Sequence, residues 1–139
     1  MLPGQRRLHM KDESDPRKRS IVTAIAVSQV QATVYDAGRR YRNERERRAA
    51  CLRALVVDAG PRGDTMMVLE QDDTLVTSDR RLLYQATRET GCTDTLRYEH
   101  LHAFAEPLLA IPDAIAWCWA KGGEWRRRID PVVIAVREV

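Results

Sequence analysis

The chain has 139 residues, 44% of them hydrophobic, enough for one domain with its own core and hardly enough for two. Its longest apolar stretches, such as IVTAIAV at 21–27, fall far short of the roughly 20 residues of a membrane span, and no hydrophobic region follows the basic start MLPGQRRLHMKDES, which argues against a secretory signal. Three widely spaced cysteines, Cys51, Cys92 and Cys118, are an odd number and fit a reduced, cytoplasmic setting better than a disulfide framework or a metal site, and the net charge of +3 conceals two arginine-rich clusters.

In chain order, residues 6–10 read as a first strand. Ser14 or Asp15 then caps a helix with Pro16 at its first position and Ile21, Ala24 and Ile25 on its apolar face. A second strand at 31–35 leads through Asp36-Ala37-Gly38 into a segment crowded with Arg39, Arg40, Arg42, Arg45, Arg47 and Arg48, interleaved with Glu44 and Glu46. That segment becomes a helix with Ala49, Leu52, Leu55, Val56 and Ala59 on its inner stripe, ended by Gly60-Pro61. A third strand at 65–69 closes on Glu70. Thr77 or Ser78 caps the next helix, 79–90, which stops at Gly91.

The fourth strand is expected at 95–102. A proline-interrupted helical region follows from Glu106 to about Lys121, closed by Gly122-Gly123, and the last strand is 132–136 behind Pro131. Residues 1–5 and the 121–130 loop read as mobile. Strands separated by helices imply parallel neighbours, so the expected architecture is a single α/β domain over 1–139, a layered and largely parallel sheet of about five strands flanked by helices.

In such a sheet the functional crevice lies beyond the carboxyl ends of the strands. Asp12 or Glu13, Asp36, Glu70 with Asp72 and Asp73, and His102 fall there. Glu70 and Asp113 stand out because their neighbours, TMMVL and the EPLLAIPDAIAWCW segment, are apolar, and an ionised side chain there asks for a cation, a metal or strong donors. Carboxylates converging from a strand end and a helix start suit a hard divalent cation with open positions for water and phosphate. The structural alternative has Asp113 capping the helix restarted at Pro112 or pairing with an arginine, and Glu70 pairing with Arg80 or Arg81.

Tyr98, His100 and His102 alternate on one face of the fourth strand, where His100 can serve as a general acid/base or phosphate contact or as a structural histidine. Asp79 reads either as a helix-start acid or as a further metal carboxylate. Trp117, Trp119 and Trp125 could stack bases, but Trp117 and Trp119 lie two apart on a helix and cannot share a face, so packing is the better reading. There is no phosphate-binding loop, since GPRG at 60–63 lacks the spacing and the Lys-Ser/Thr ending, and no serine sits in a nucleophile elbow.

On EPLLAIPDAIAW, on MMVLE followed by DRRLL, and on RRLHMKDE, the chain resembles an uncharacterised bacterial family with an RNase H-like fold. The resemblance covers most of the chain through short motifs. It implies a metal-dependent phosphodiesterase-type site on Glu70 and Asp113, with Glu13 and Asp79 less closely matched. The family places Asp-Glu-Ser at the end of an initial strand, whereas here Asp12-Glu13-Ser14 runs directly into a helix. On that alignment the family's first strand and its aspartate are missing, and an exposed sheet edge is left for a second copy or another protein to cover.

The leading expectation is therefore a small cytoplasmic nuclease using Mg2+ or Mn2+ on Glu70, Asp113 and Glu13 or Asp79, assisted by His100, with Arg39, Arg40, Arg42 and Arg45 holding nucleic-acid phosphates. The alternative is a non-catalytic nucleic-acid-binding or protein-assembly module on a degenerate nuclease scaffold. A toxin or defence component is a third reading with no residue of its own behind it.

Overall fold

Local signals fix where the helices begin and end. In the computed structural model, which describes residues 9–139, α1 (Asp15–Ala26) begins at Ser14, whose hydroxyl accepts from the Arg17 amide at 3.4 Å with Pro16 in the first turn. β1 (Ala32–Asp36) follows. α2 (Glu44–Ala59) opens with a reciprocal cap: the Asn43 side chain accepts from the Glu46 amide at 2.9 Å, and the Glu46 carboxylate accepts from the Arg42 amide at 3.0 Å.

β2 (Thr65–Glu70) and α3 (Val76–Thr90) come next. Helix α3 starts three residues earlier than the sequence suggests and uses neither Thr77 nor Ser78 as its cap. Instead the Asp72 carbonyl accepts from the Leu75 and Val76 amides, both at 2.9 Å, so the preceding turn runs straight into the helix. It ends as expected at Gly91, whose φ of 73° only glycine adopts readily.

After β3 (Leu96–Leu101), a short 3-10 turn (Pro107–Leu109) leads into α4 (Ala110–Lys121), then α5 (Gly123–Ile129) and β4 (Val133–Glu138). The expected mobile loop at 121–130 is mostly helix α5. Gly122 and Gly123, at φ 74° and 53°, redirect the chain rather than ending helicity. Buried Ile129 and the Glu124–Arg128 pair at 2.8 Å then hold the new turn. No helix among the described residues is long and apolar enough to cross a membrane.

Among the described residues the strands form two separate pairs, β2 with β3 and β1 with β4, rather than one sheet of about five. β2 and β3 run parallel, with Thr65 opposite Leu96 and Glu70 opposite Leu101. The alternation of strands and helices predicts that direction but not which strands bond to which. The expected first strand also fails at its end, because Met10–Asp12 is a 3-10 turn; residues 6–8 lie outside the described residues.

The chain divides into two compact units. One comprises residues up to Val34 with Ala103–Val136, and its core is wholly apolar, built on Met10, Val22, Ile25, Ile115, Cys118 and Ile129. Around it, Trp117 and Trp125 pack edge to face at 5.2 Å. The Lys18 ammonium lies 4.5 Å from the Trp117 ring, and the Arg126 guanidinium 4.5 Å from that of Trp119. These rings are packed and capped by cations, not held out as stacking platforms.

The second unit comprises Tyr35–His102 with Arg137–Val139. Its apolar core joins Leu52 and Val56 of α2, Leu83 of α3, Leu69 of β2 and Leu96 of β3. It also buries charge. Asp79, Thr87 and His100 are the buried polar or charged residues among those described, and all three belong to this unit.

Candidate functional site

The carboxyl ends of β2 and β3 lie side by side because the two strands are parallel and in register, Leu69 beside His100 and Glu70 beside Leu101. The chain leaves β2 through a turn that Asp72 organises, its Oδ1 accepting from the Thr74 amide at 2.9 Å and from the Thr74 hydroxyl at 2.6 Å. Those two bonds hold the Asp72 carboxyl below its usual range. The turn delivers Asp79 into the first turn of α3, facing β3 and α2.

There Asp79 meets two partners. Arg48 of α2 grips it bidentately, Nε to Oδ1 at 2.9 Å and Nη2 to Oδ2 at 2.8 Å. His100 of β3 places Nε2 3.1 Å from Oδ2. Burial pushes the Asp79 carboxyl upward, but the hydrogen bonds from Arg48 and His100 outweigh it and the net shift is downward. The same bond to Asp79 raises the Arg48 guanidinium against the opposing effect of its own burial. An ionised carboxylate only accepts, so His100 must carry its proton on Nε2 and donate it to Asp79.

The three side chains thus tie α2, α3 and β3 together inside the second unit. With a side chain only 1% exposed, His100 offers a substrate no approach as a general acid or base. A metal at Asp79 would have to displace a bidentate guanidinium. Among the described residues, no three His, Cys, Asp or Glu side chains are grouped to hold a metal ion.

The other predicted site residues divide between the units. Glu70, half-buried, ends β2, and nearby His102 approaches Asp73 at 3.8 Å. Asp113 and Glu13 belong to the first unit and meet the same turn there. The Asp113 carboxylate accepts from the Met10 amide at 3.0 Å, and the Glu13 amide donates to the Met10 carbonyl at 3.2 Å. Asp113 is therefore used as a helix-start acid that anchors a neighbouring 3-10 turn. Its partner is a backbone amide, not the arginine that the sequence offered.

Arg39, Arg40, Arg42 and Arg45 are all exposed, although Arg40 spends its guanidinium on the main-chain oxygens of Asp36 at 2.8 Å and Val139 at 2.6 Å. Arg48 was legible only in part. It stands four residues before Leu52 on the stripe continued by Val56 and Ala59, and that spacing already separates it from its solvent-facing neighbours. A second polar network had no such signal: Asp58 of α2 accepts from the Tyr35 hydroxyl at 2.8 Å and from Arg137. No protein-family model, curated protein or solved structure matches the chain.

Proposed function

We propose that this chain is a non-catalytic nucleic-acid-binding or assembly module whose exposed arginines around the start of α2 contact phosphates. The observation that carries the reading is the commitment of Asp79: its two oxygens already serve Arg48 and His100, so the most buried carboxylate of the expected metal set holds the fold instead. Asp113 is likewise engaged, by the Met10 amide. Arg39, Arg42 and Arg45 stand exposed a few residues from Arg48. Arginines displayed in this way attract a polyanion without needing a metal.

Filter binding of labelled single- and double-stranded RNA and DNA across a salt series, in EDTA, tests the reading. Binding persists in EDTA and in Glu70→Gln and Asp113→Asn variants, and the triple substitution Arg39→Ala, Arg42→Ala, Arg45→Ala lowers the log-log salt slope by about one for each phosphate no longer neutralised. Absence of binding at low salt, or binding that needs manganese, overturns it.

A second reading keeps the enzyme: an RNase H-like nuclease using Mg2+ or Mn2+ on Glu70. It is favoured by the placing of Glu70 at the carboxyl end of β2, with Asp72 and Asp73 following it in the chain and His102 3.8 Å from Asp73. Calorimetric titration with manganese, followed by cleavage assays on the same nucleic acids, decides between the two. Metal-dependent cutting that Glu70→Gln abolishes selects the enzyme.

A further inference from the structure

A two-stranded parallel sheet is an unfinished structure, since parallel strands ordinarily sit within larger sheets. The open edge of β3 can be read from the ladder on its other side. The Thr65 amide donates to the Thr95 carbonyl at 2.9 Å, and the Gln71 amide to that of Leu101 at 2.8 Å. Along a parallel strand, alternate residues turn both backbone groups to the same side, so residues 95, 97, 99 and 101 address β2. Tyr98 and His100 consequently direct N–H and C=O away from it, toward an edge that pairs with no strand among the described residues. A shallow cleft of about 450 Å³ runs along this strand, lined in part by Tyr84, Tyr98, Arg97 and Glu99.

The side chains flanking that edge say what fits it. Arg97 and Glu99 lie on the outward face, both exposed, one residue to each side of Tyr98. Neither forms an ion pair among the described residues. Two signs of charge placed symmetrically about a central residue are self-complementary. An antiparallel copy of the same strand, centred on Tyr98, sets each Arg97 opposite the other copy's Glu99. Because Tyr98 carries the outward-facing backbone groups, the two tyrosines would exchange N–H···O=C bonds. The Arg97 and Glu99 pairs would then fall at the closely spaced, non-hydrogen-bonded positions, where cross-strand side chains interact most strongly. An edge merely blocked against association would gain nothing from opposite charges in this arrangement.

We propose that two copies of this chain associate through antiparallel pairing of their β3 strands about Tyr98, joining two β2–β3 pairs into a four-stranded sheet with a twofold axis. The inference stands on the β3 edge alone and does not depend on whether the protein binds nucleic acid.

Sedimentation equilibrium over a wide concentration range, on wild type and charge variants, tests it. Wild type dimerises. Arg97→Glu sets two carboxylates opposite Glu99 residues, and Glu99→Arg does the converse, so each variant alone raises the dissociation constant by about tenfold or more. An equimolar mixture of the two single variants associates as a heterodimer, and the double exchange Arg97→Glu/Glu99→Arg recovers the wild-type constant. The rescues separate lost pairing from misfolding, because an unfolded variant would not recover on mixing. Wild type that stays monomeric throughout overturns the proposal, as does association unaffected by the single variants, which would put the interface elsewhere.

Discussion

The two units reach stable cores by opposite means. The first buries apolar side chains and keeps its cations outside, laid over tryptophan rings. The second places a carboxylate, an imidazole and part of a guanidinium among leucines and valines, and adds a second polar network at Asp58. An apolar core tolerates loss in proportion to the volume removed. A charged core is less forgiving, since each partner has been taken from water on the condition that the others remain.

The largest expected effect follows from that condition. Asp79→Ala leaves Arg48 and His100 without their anion and costs about 4 kcal/mol in chemical denaturation. Replacing all three by apolar residues, with Asp79→Leu, Arg48→Met and His100→Leu together, recovers most of the loss. The pH dependence carries the same signature. The Asp79 carboxyl lies below its usual range in the folded protein, so the unfolded chain takes up a proton first as the solution is acidified. Its stabilisation is complete above the ordinary aspartate value and is lost as pH falls through the lowered folded one. Asp79→Asn removes that part of the acid limb. If Asp79→Ala costs less than about 1 kcal/mol, the cluster is not what joins α2, α3 and β3, and the contrast between the units collapses.

Ile129→Ala is the counterpart in the first unit. Ile129 is fully buried on a helix of only seven residues, and its truncation costs about 3 kcal/mol through lost burial and the cavity left behind. No titratable group is removed, so the loss is uniform between neutral and mildly acidic pH. A loss that grows on acidification would show that the first unit also depends on a carboxylate.

The same contrast explains how much of the molecule was legible in the sequence. The start of α1 at Ser14 and the stop at Gly91 are read from residues a few positions apart, and the sequence carries them. Strand partners join residues some thirty positions apart, as Thr65 joins Leu96, and nothing local encodes that choice. The candidate site divides along the same line. Asp79 drew attention as an acid at a helix start and His100 as a histidine on one face of a strand, and they do meet. Arg48 lay hidden in a run of neighbouring charges, although its spacing to Leu52 marked it. Asp113 drew attention for an apolar context that a backbone amide from the far end of the sequence resolves.

Asp113→Ala is expected to cost about 1 kcal/mol, the loss of one charge-assisted bond to a partly buried amide at a helix start. Asp113→Asn, which can still accept from Met10, costs less. A metal role would reverse the emphasis, leaving stability similar in both variants while abolishing manganese binding in each.

The smallest effects lie at high pH and assign one step to each unit. Burial pushes the Cys118 thiol up to about 11 from an ordinary 9.0, and burial with the hydrogen bond to Asp58 pushes the Tyr35 hydroxyl up to about 12 from 10.0. Both groups hold their protons more tightly when folded. Each contribution is therefore intact below the ordinary value and is lost as pH rises through the raised one. The first unit should loosen between 9.0 and about 11 as the unfolded chain releases the Cys118 proton, and the second between 10.0 and about 12 through Tyr35. The Tyr35 step is the weaker because that side chain is only partly buried and water screens it. In alkaline titrations followed by circular dichroism, Cys118→Ala removes the earlier step and Tyr35→Phe the later one. An unchanged early step in Cys118→Ala would mean that the thiol is reached by water in the folded protein, and the first unit's core would then be less dry than its apolar composition requires.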